Sequence, residues 1–177
     1  MAVFQIIRNL LFVPPAAFEP EIVVPAPETA YEVRPLTDKQ IKEVMKLSLR
    51  CFKAGENYTN NTFSYLLSEA NTLSYRAVTP SGEMVAFVFI MTSEDGTGHV
   101  TTIGVAPEHR RRGLANMLLQ HTEKVLQNRG INTLMLEVRV GNTSAQTLYR
   151  RIGYAVVQRL NSYYNNGEDG FLMVKSI

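Results

Sequence analysis

Apolar and polar positions follow two different periods along the chain, and the changes of period divide it into helices and strands. In residues 38–52 the apolar side chains recur every three or four positions, which predicts a helix. In residues 84–91 nearly every side chain is apolar, which predicts a central strand buried on both faces. The full set of predicted elements comprises strands at 31–34, 73–78, 84–91, 99–106, 132–139, 154–160 and 170–175, and helices at 38–52, 60–70, 113–128 and 143–151. This β-αα-βββ-α-β-α-ββ order predicts one α/β domain around a single mixed sheet.

Residues 1–30 differ from the rest of the chain, and we interpret them as an arm outside a domain of residues 31–177. The arm contains prolines at 14, 15, 20, 25 and 27, which break regular elements and favour extended backbone. Its apolar side chains need a surface to pack on. Packing on the chain's own domain is the simpler interpretation, and a partner surface or a homodimer contact through the arm stays open.

Composition excludes several classes of protein. The chain has 177 residues and a net charge of only +2, so nothing points to a nucleic-acid partner. No segment approaches the ~20 apolar residues that span a bilayer, so no membrane contact is expected. The single cysteine, Cys51, allows neither an intrachain disulfide nor a cysteine-based zinc site, and no metal is expected. We therefore expect a cytoplasmic protein.

The segment 105–115 carries the clearest chemical signal. Pro107 ends a strand, three consecutive arginines follow, and Gly113 and Ala115 stand where a long amphipathic helix begins. The first turn of a helix has unpaired N–H groups and the positive end of the helix dipole, so it attracts phosphate. Residues with little or no side chain would let a pyrophosphate approach the backbone.

These residues identify a family resemblance. Arg110-x-x-Gly113-x-Ala115 resembles the acetyl-CoA pyrophosphate loop of the GNAT superfamily of N-acetyltransferases, and Asn142-x-x-Ala145-x-x-Leu148-Tyr149-x-x-x-Gly153-Tyr154 matches its second motif. The resemblance implies a sheet splayed between the two parallel strands that end at Val105 and Val138, with a bulge at Gly104. The acetyl-CoA-binding residues that it implies are Ile103, Gly104, Val105, Arg110, Arg111, Arg112, Gly113, Leu114, Ala115, Asn116, Asn142 and Tyr149.

Three shorter segments resemble a narrower group, the ribosomal-protein-alanine and protein N-terminal acetyltransferases. They are Leu136-Glu137-Val138-Arg139, Gly55-Glu56-Asn57-Tyr58 and Tyr163-Tyr164-x-x-Gly167-Glu168-Asp169. This resemblance implies that the acceptor is the α-amino group of a protein or peptide N-terminus. The implied substrate-binding residues are Glu56, Tyr58, Tyr163 and Tyr164.

The reaction needs a base for the ammonium group and an acid for the leaving thiolate. Glu137 is the first candidate base, and the alternative is that it only pairs with Arg139 or another basic side chain. His99 is the second candidate base, although a lone histidine is more often structural. Tyr149 is the candidate acid, and the alternative is that it only packs in the core.

Other functions stay open at this point. The same fold could acetylate a small amine, an antibiotic or a lysine side chain. A GNAT domain could also sense acyl-CoA, or serve as an assembly subunit, without catalysis, but such a module would need neither Glu137 nor Tyr149. A Rossmann nucleotide-binding protein is disfavoured because no glycine-rich loop follows the first strand.

Overall fold

The computed structural model describes residues 23–52 and 58–177, and it contains the predicted elements in the predicted order. The strands are β1 (Glu32–Pro35), β2 (Thr72–Val78), β3 (Met84–Thr92), β4 (Thr97–Val105), β5 (Thr133–Arg139), β6 (Ala155–Leu160) and β7 (Gly170–Ser176). The helices are α1 (Ile41–Cys51), α2 (Asn60–Ser68), α3 (Leu114–Gln127) and α4 (Thr143–Arg151), with short 3-10 turns at Asp38–Gln40 and Pro107–His109.

Local side-chain chemistry explains where several helices begin. Thr37 and Gln40 form a capping box ahead of α1, and the Thr59 hydroxyl accepts the Thr62 N–H at the start of α2. The Asn142 side chain accepts the Ala145 N–H and caps α4. The last two caps each satisfy an N–H group of the first helical turn, whereas Gln40 Oε1 accepts the N–H of Thr37 itself.

One seven-stranded sheet has the order β1-β2-β3-β4-β5-β7-β6. All neighbouring strands are antiparallel except β4 and β5, which are parallel and pair only through Thr97–Thr133, Gly98–Leu134 and His99–Met135. Strand β5 then stays paired with β7 along its whole length. The sheet therefore opens between β4 and β5 just after His99, which confirms the predicted splay between two parallel strands.

The irregularity in β4 lies at Thr101 and not at the predicted Gly104. Phe89 pairs with Thr102 and Ile90 with Val100, so Thr101 is the extra residue. Gly104 is instead required by close packing, because a Cβ atom there would lie 2.6 Å from the ring of Phe87. The bulge bends β4 away from β5, as extra residues in strands do.

The core is centred on β3 and includes buried residues of β2, β4, β5 and β7. Every residue of β3 from Met84 to Met91 is buried, as its uninterrupted apolar run predicts. Phe63 from α2 packs against Phe87 and Phe89. This packing holds α1 and α2 over the half of the sheet that forms one wall of the opening.

Part of the predicted arm falls within the described residues. Residues 23–30 have no regular secondary structure, and the Ala26 N–H donates to the Glu108 carbonyl oxygen at 3.0 Å. The arm's earlier apolar residues lie outside the described residues. Within residues 23–52 and 58–177, no helix has the length and apolar character needed to cross a bilayer.

Candidate active site

A cleft of about 710 Å³ occupies the opening between β4 and β5. One wall is formed by the end of β4 and by α1, and the other by the residues that follow β5 and by α4. The loop before α3 closes one end. The cleft therefore runs along the line where the two strands separate. On one side it exposes β4 backbone that does not pair with β5.

The loop before α3 has a backbone shaped for an anion. Arg111 adopts a left-handed conformation with φ of 64°, and Gly113 does so with φ of 78°. A Cβ atom at Gly113 would meet nothing within 4 Å, so the space in front of this glycine is open. Left-handed residues that alternate with other conformations turn backbone N–H groups towards one concave surface, and the start of α3 adds the positive end of its dipole.

All the predicted acetyl-CoA-binding residues except Arg112 line this cleft. The guanidinium of Arg112 turns away from it and donates to the carbonyl oxygens of Ala26 and Pro27, the latter at 2.8 Å. The Arg112 side chain therefore does not line the cleft, and binding of acetyl-CoA by this residue stays a prediction. Arg111 differs, because it is exposed at the cleft and makes no ion pair within the described residues.

The backbone of Val105 points to the cleft edge of β4, since the next N–H, that of Ala106, is bonded to Val85 of β3. The Val105 carbonyl oxygen accepts a hydrogen bond from Arg110 Nε at 3.3 Å. Arg110 also donates to the Cys51 carbonyl oxygen at 3.0 Å. The side chain of Arg110 thus holds the loop to α1, and its role is partly structural.

Several cleft residues were not identified from sequence as site residues, among them Arg139, Gly141 and Glu168. Glu168 accepts the Gly141 N–H at 2.9 Å and Arg139 Nη1 at 2.8 Å. These two donors hold the pKa of Glu168 below its usual value. A Cβ atom at Gly141 would lie 2.8 Å from the Glu168 carboxylate, which explains the glycine. The sequence signal that could have identified these residues is that Arg139 and Glu168 each belong to one of the motifs described above.

The two candidate bases form one hydrogen-bonded pair. His99 Nε2 lies 2.7 Å from Glu137 Oε2, with side chains that are 11% and 7% exposed. His99 is the last residue of β4 that pairs with β5, opposite Met135. Glu137 stands two residues further along β5 on the same face. The pair therefore stands at the fork of the sheet, and the basic partner of Glu137 is His99, as the alternative interpretation with another basic side chain also allowed.

The second oxygen of Glu137, Oε1, is buried and has no hydrogen-bond partner among the described residues. A buried carboxylate oxygen without a donor is costly, so such an atom marks a place where another group binds. When the carboxylate is ionised it can only accept, so His99 Nε2 then carries the proton of their shared bond. Among the described residues, Oε1 is consequently the oxygen of Glu137 that can still accept a hydrogen bond.

Tyr149 lies on the wall of the cleft, as predicted for the acid. Its ring packs against Tyr154 with centroids 5.7 Å apart, and burial raises its pKa to about 12. It therefore stays a protonated phenol at neutral pH. Burial also raises the pKa of the Cys51 thiol to about 12, so the cysteine on the opposite wall stays protonated.

The predicted acceptor-binding residues are partly brought together. Burial raises the pKa of Tyr58 and of Tyr164, and the Glu137 carboxylate raises both further, which indicates that these rings lie near it. Tyr163 and Tyr164 pack edge to face. The Tyr58 hydroxyl donates to the carbonyl oxygen of the bulge residue Thr101 at 2.9 Å, so it offers mainly its ring. The predicted Glu56 lies outside the described residues.

The loop between β6 and β7 is held to the end of β5. Arg139 lies over the Tyr164 ring at 3.8 Å and donates to Asn166 Oδ1 at 3.1 Å as well as to Glu168. At the other side of the loop, Asp169 accepts the Ser162 N–H at 2.7 Å. The Tyr164 ring is thus held against Arg139 at the end of β5, and Tyr163 packs on it.

Three features define the class of protein. They are a cleft opened by diverging parallel strands, a loop at a helix start whose backbone is shaped for an anion, and a buried carboxylate beside the cleft. Together they describe an acyltransferase that uses a phosphorylated acyl carrier. The model of the Acetyltransferase (GNAT) family matches residues 41–154, and the chain belongs to this family. It is an enzyme that transfers the acetyl group of acetyl-CoA to an amine.

Comparison with known proteins agrees with this assignment. N-alpha-acetyltransferase 30 of Schizosaccharomyces pombe is 27% identical over 140 residues, which are 77% of this chain and 92% of the relative. The ribosomal-protein-S18-alanine N-acetyltransferase of Escherichia coli superposes with a TM-score of 0.75 at 26% identity, covering 84% and 94% of the two chains. Arabidopsis thaliana NAA60 in complex with acetyl-CoA shares the fold, with a TM-score of 0.72, 22% identity and coverage of 84% and 99%.

The residues of this chain fit acetyl-CoA. The open space at Gly113 allows a phosphate to reach backbone N–H groups, and Arg111 adds positive charge beside it. Asn116, on the cleft wall, has a buried side-chain oxygen without a described partner, which suits an amide-rich ligand. Tyr149 and the fork of the sheet lie at the other end, where acyl transfer would occur.

Proposed function

We propose that the enzyme acetylates the α-amino group of protein or peptide N-termini. The observation that carries this proposal is the buried Glu137–His99 pair at the fork of the sheet, beside the tyrosines of the β6–β7 loop. Relatives named as N-alpha-acetyltransferases and as a ribosomal-protein-alanine acetyltransferase support the same acceptor. With its single cysteine, the chain suits a reducing compartment, and we propose the cytoplasm.

Glu137 acts as the base through Oε1. This oxygen is buried and unpartnered among the described residues, while Oε2 is bonded to His99. An incoming ammonium group, or a water that contacts it, can therefore give its proton to Oε1 without breaking an existing bond. His99 orients the Glu137 carboxylate through Nε2. This bond keeps Oε2 from turning towards the substrate.

Acetyl-CoA supplies a thioester whose carbonyl carbon accepts the amine and whose sulfur leaves. Tyr149 gives a proton, or a hydrogen bond, to that sulfur from its place on the cleft wall. Its pKa of about 12 arises from burial alone, and the same surroundings disfavour a thiolate as much as a phenolate. The pKa of the Tyr149 phenol and the pKa of the CoA thiol therefore rise together. The raised pKa of Tyr149 does not prevent the phenol from assisting the departure of the sulfur.

The transfer occurs by direct attack and not through an acylated cysteine. Cys51 lines the cleft, but burial raises the pKa of its thiol to about 12. Only a thiolate is an effective nucleophile, and a thiol with this pKa is almost entirely protonated at pH 7. The acceptor amine is then the nucleophile that reaches the thioester.

The ordinary pKa values of the two amines favour an α-amino group over lysine as the acceptor. An α-amino group has a pKa near ~7.7–8.0, so about a third of it is neutral at pH 7.5. A lysine side chain, with a pKa near ~10.4, is neutral for only about 0.1% of the time. A single carboxylate therefore has to deprotonate a much smaller fraction of α-amino groups than of lysine side chains.

The decisive experiment compares two peptides of matched sequence with acetyl-CoA. One has a free N-terminus and no lysine, and the other has a blocked N-terminus and one internal lysine. We expect kcat/KM for the free N-terminus to exceed that for the lysine by about 300-fold, following the difference in the fraction of neutral amine. Tandem mass spectrometry of a third peptide that carries both amines locates the acetyl group directly.

Predominant lysine labelling would contradict the proposed acceptor. A panel of small amines in the same assay addresses the remaining enzyme alternative, and turnover of these amines above that of every peptide in an N-terminal residue library would also contradict it. The library additionally identifies the preferred first residue.

A further inference from the structure

Residues 24–31 run along the outer side of the loop that contacts the acetyl-CoA cleft. The Ala26 N–H donates to the Glu108 carbonyl oxygen at 3.0 Å. In return, Arg112 donates to the carbonyl oxygens of Ala26 and Pro27. Hydrogen bonds thus run in both directions between this segment, which we name the strap, and the loop 107–113.

Tyr31, at the end of the strap, joins two further loop residues. Its hydroxyl oxygen accepts Arg112 Nη1 at 2.9 Å and lies 2.9 Å from His109 Nδ1. The Tyr31 and His109 rings meet edge to face with centroids 5.7 Å apart. His109 is buried, at 5% exposure, and Tyr31 and Arg112 are half-buried. One phenol therefore fixes the side chains of a residue before and a residue after Arg111.

The loop needs such support because its backbone is strained. Arg111 has φ of 64°, and left-handed backbone at a residue with a side chain costs on the order of 1–2 kcal/mol. On its inner flank, the loop is fastened to α1 by Arg110 and by the Arg50–Glu108 ion pair at 2.7 Å. The strap fastens the outer flank. The family match covers residues 41–154, so the strap lies outside the matched region.

We propose that the strap holds the pyrophosphate loop in its binding shape, with Tyr31 and Arg112 as positioning residues for acetyl-CoA. Arg112 acts through the carbonyl groups and the phenol of the strap and not by contact with the ligand. A loop that is already ordered does not have to be ordered at the moment of binding, so affinity rises without any new ligand contact. The proposal concerns the acetyl-CoA side alone and is independent of the acceptor.

The test uses the full chain with Tyr31→Phe, which keeps the ring and removes only the shared hydroxyl. Arg112→Lys keeps the positive charge but loses the fork that reaches both strap and phenol. We expect each variant to raise the Kd for acetyl-CoA in calorimetry about threefold to tenfold, as the loss of one or two hydrogen bonds would. KM for the acceptor should stay within twofold. Tyr65→Phe, on α2 and away from the loop, is the matched control.

Two further readouts separate positioning from a general loss of stability. Amide hydrogen exchange of residues 109–113 in the ligand-free protein should become faster in Tyr31→Phe, while exchange in β3 stays as in the parent. The double variant should lose less affinity than the product of the single losses, because both act through one junction.

Each other outcome overturns the proposal. If Arg112→Lys weakens binding while Tyr31→Phe does not, Arg112 acts on the ligand directly. If both variants lower the thermal midpoint but leave the Kd for acetyl-CoA unchanged, the strap only stabilises the fold.

Discussion

Replacement of Tyr149 by phenylalanine tests the proposed acid with very little disturbance of the structure. The ring of Tyr149 packs against Tyr154, and phenylalanine keeps that contact. No described residue hydrogen-bonds the Tyr149 hydroxyl, so its removal leaves no protein group without a partner. We therefore expect the variant to fold normally and to unfold within a degree or two of the parent.

The expected effect on catalysis is much larger than the effect on stability. Loss of general acid catalysis typically lowers kcat by about 10²–10⁴, which is about 2.7–5.5 kcal/mol of transition-state stabilisation. The Kd for acetyl-CoA should change little, because the hydroxyl assists only the departing sulfur. Since the pKa of Tyr149 is about 12, the parent's kcat should show no alkaline decline from this residue below about pH 11.

The assay is steady-state kinetics of a peptide substrate, with acetyl-CoA affinity measured separately by calorimetry. Tyr154→Phe is the matched control, since its hydroxyl is also buried but lies off the cleft wall. Equal kcat in the parent and in Tyr149→Phe would refute the assignment of the acid. So would an equal loss in Tyr154→Phe, because the effect would then follow from the packing of the two rings.

The remaining predictions concern the base, the loop and the clamp on the β6–β7 hairpin. Glu137→Gln should lower kcat/KM by about 10²–10⁴, with a defect that shrinks from pH 6 to pH 9 as the amine becomes neutral; a defect independent of pH would count against the base. Gly113→Asp should raise the Kd for acetyl-CoA at least 100-fold in calorimetry, whereas Gly113→Ala, which shares the strained φ but adds no charge, should raise it less than tenfold. Glu168→Gln should raise KM for the peptide, because the carboxylate fastens the hairpin to Arg139 and Gly141. The pKa of Glu168 is lowered by these donors, so its stabilising effect is complete above the unfolded value of ~4.3 and fades as pH falls through the lower folded value. Thermal midpoints of the parent and Glu168→Gln should accordingly differ at pH 7 and converge in acid.

The loop before α3 could be located from sequence because its signal is local. A strand end, three arginines and two small residues at a helix start occupy consecutive positions, and the cleft forms around them. The direction of each arginine fork is not local. Arg112 turns to the carbonyl groups of residues 26 and 27, more than 80 positions earlier, and no pattern in the loop itself indicates that choice.

The sequence narrows the candidate base to Glu137 and His99, but it does not predict that the two side chains contact each other. Glu137 and His99 are 38 positions apart, and their contact depends on the register of β4 and β5. That register consists of three residue pairs, the last of which contains His99. The glycine at position 104 predicts a bulge because glycine is common in bulges. The physical reason for this glycine is instead its close packing against the ring of Phe87.

The short parallel pairing between β4 and β5 has a consequence for how the protein unfolds. Strands β1 to β4 form one antiparallel unit and β5 to β7 another, and only three residue pairs join them across the sheet. Such a joint is the weakest line along which the two units could separate, so each should behave as its own cooperative block in native-state exchange. A ligand in the cleft contacts both blocks at once. At 100 times its Kd, acetyl-CoA should therefore add about 2.7 kcal/mol to the free energy of unfolding and merge the two blocks into a single transition.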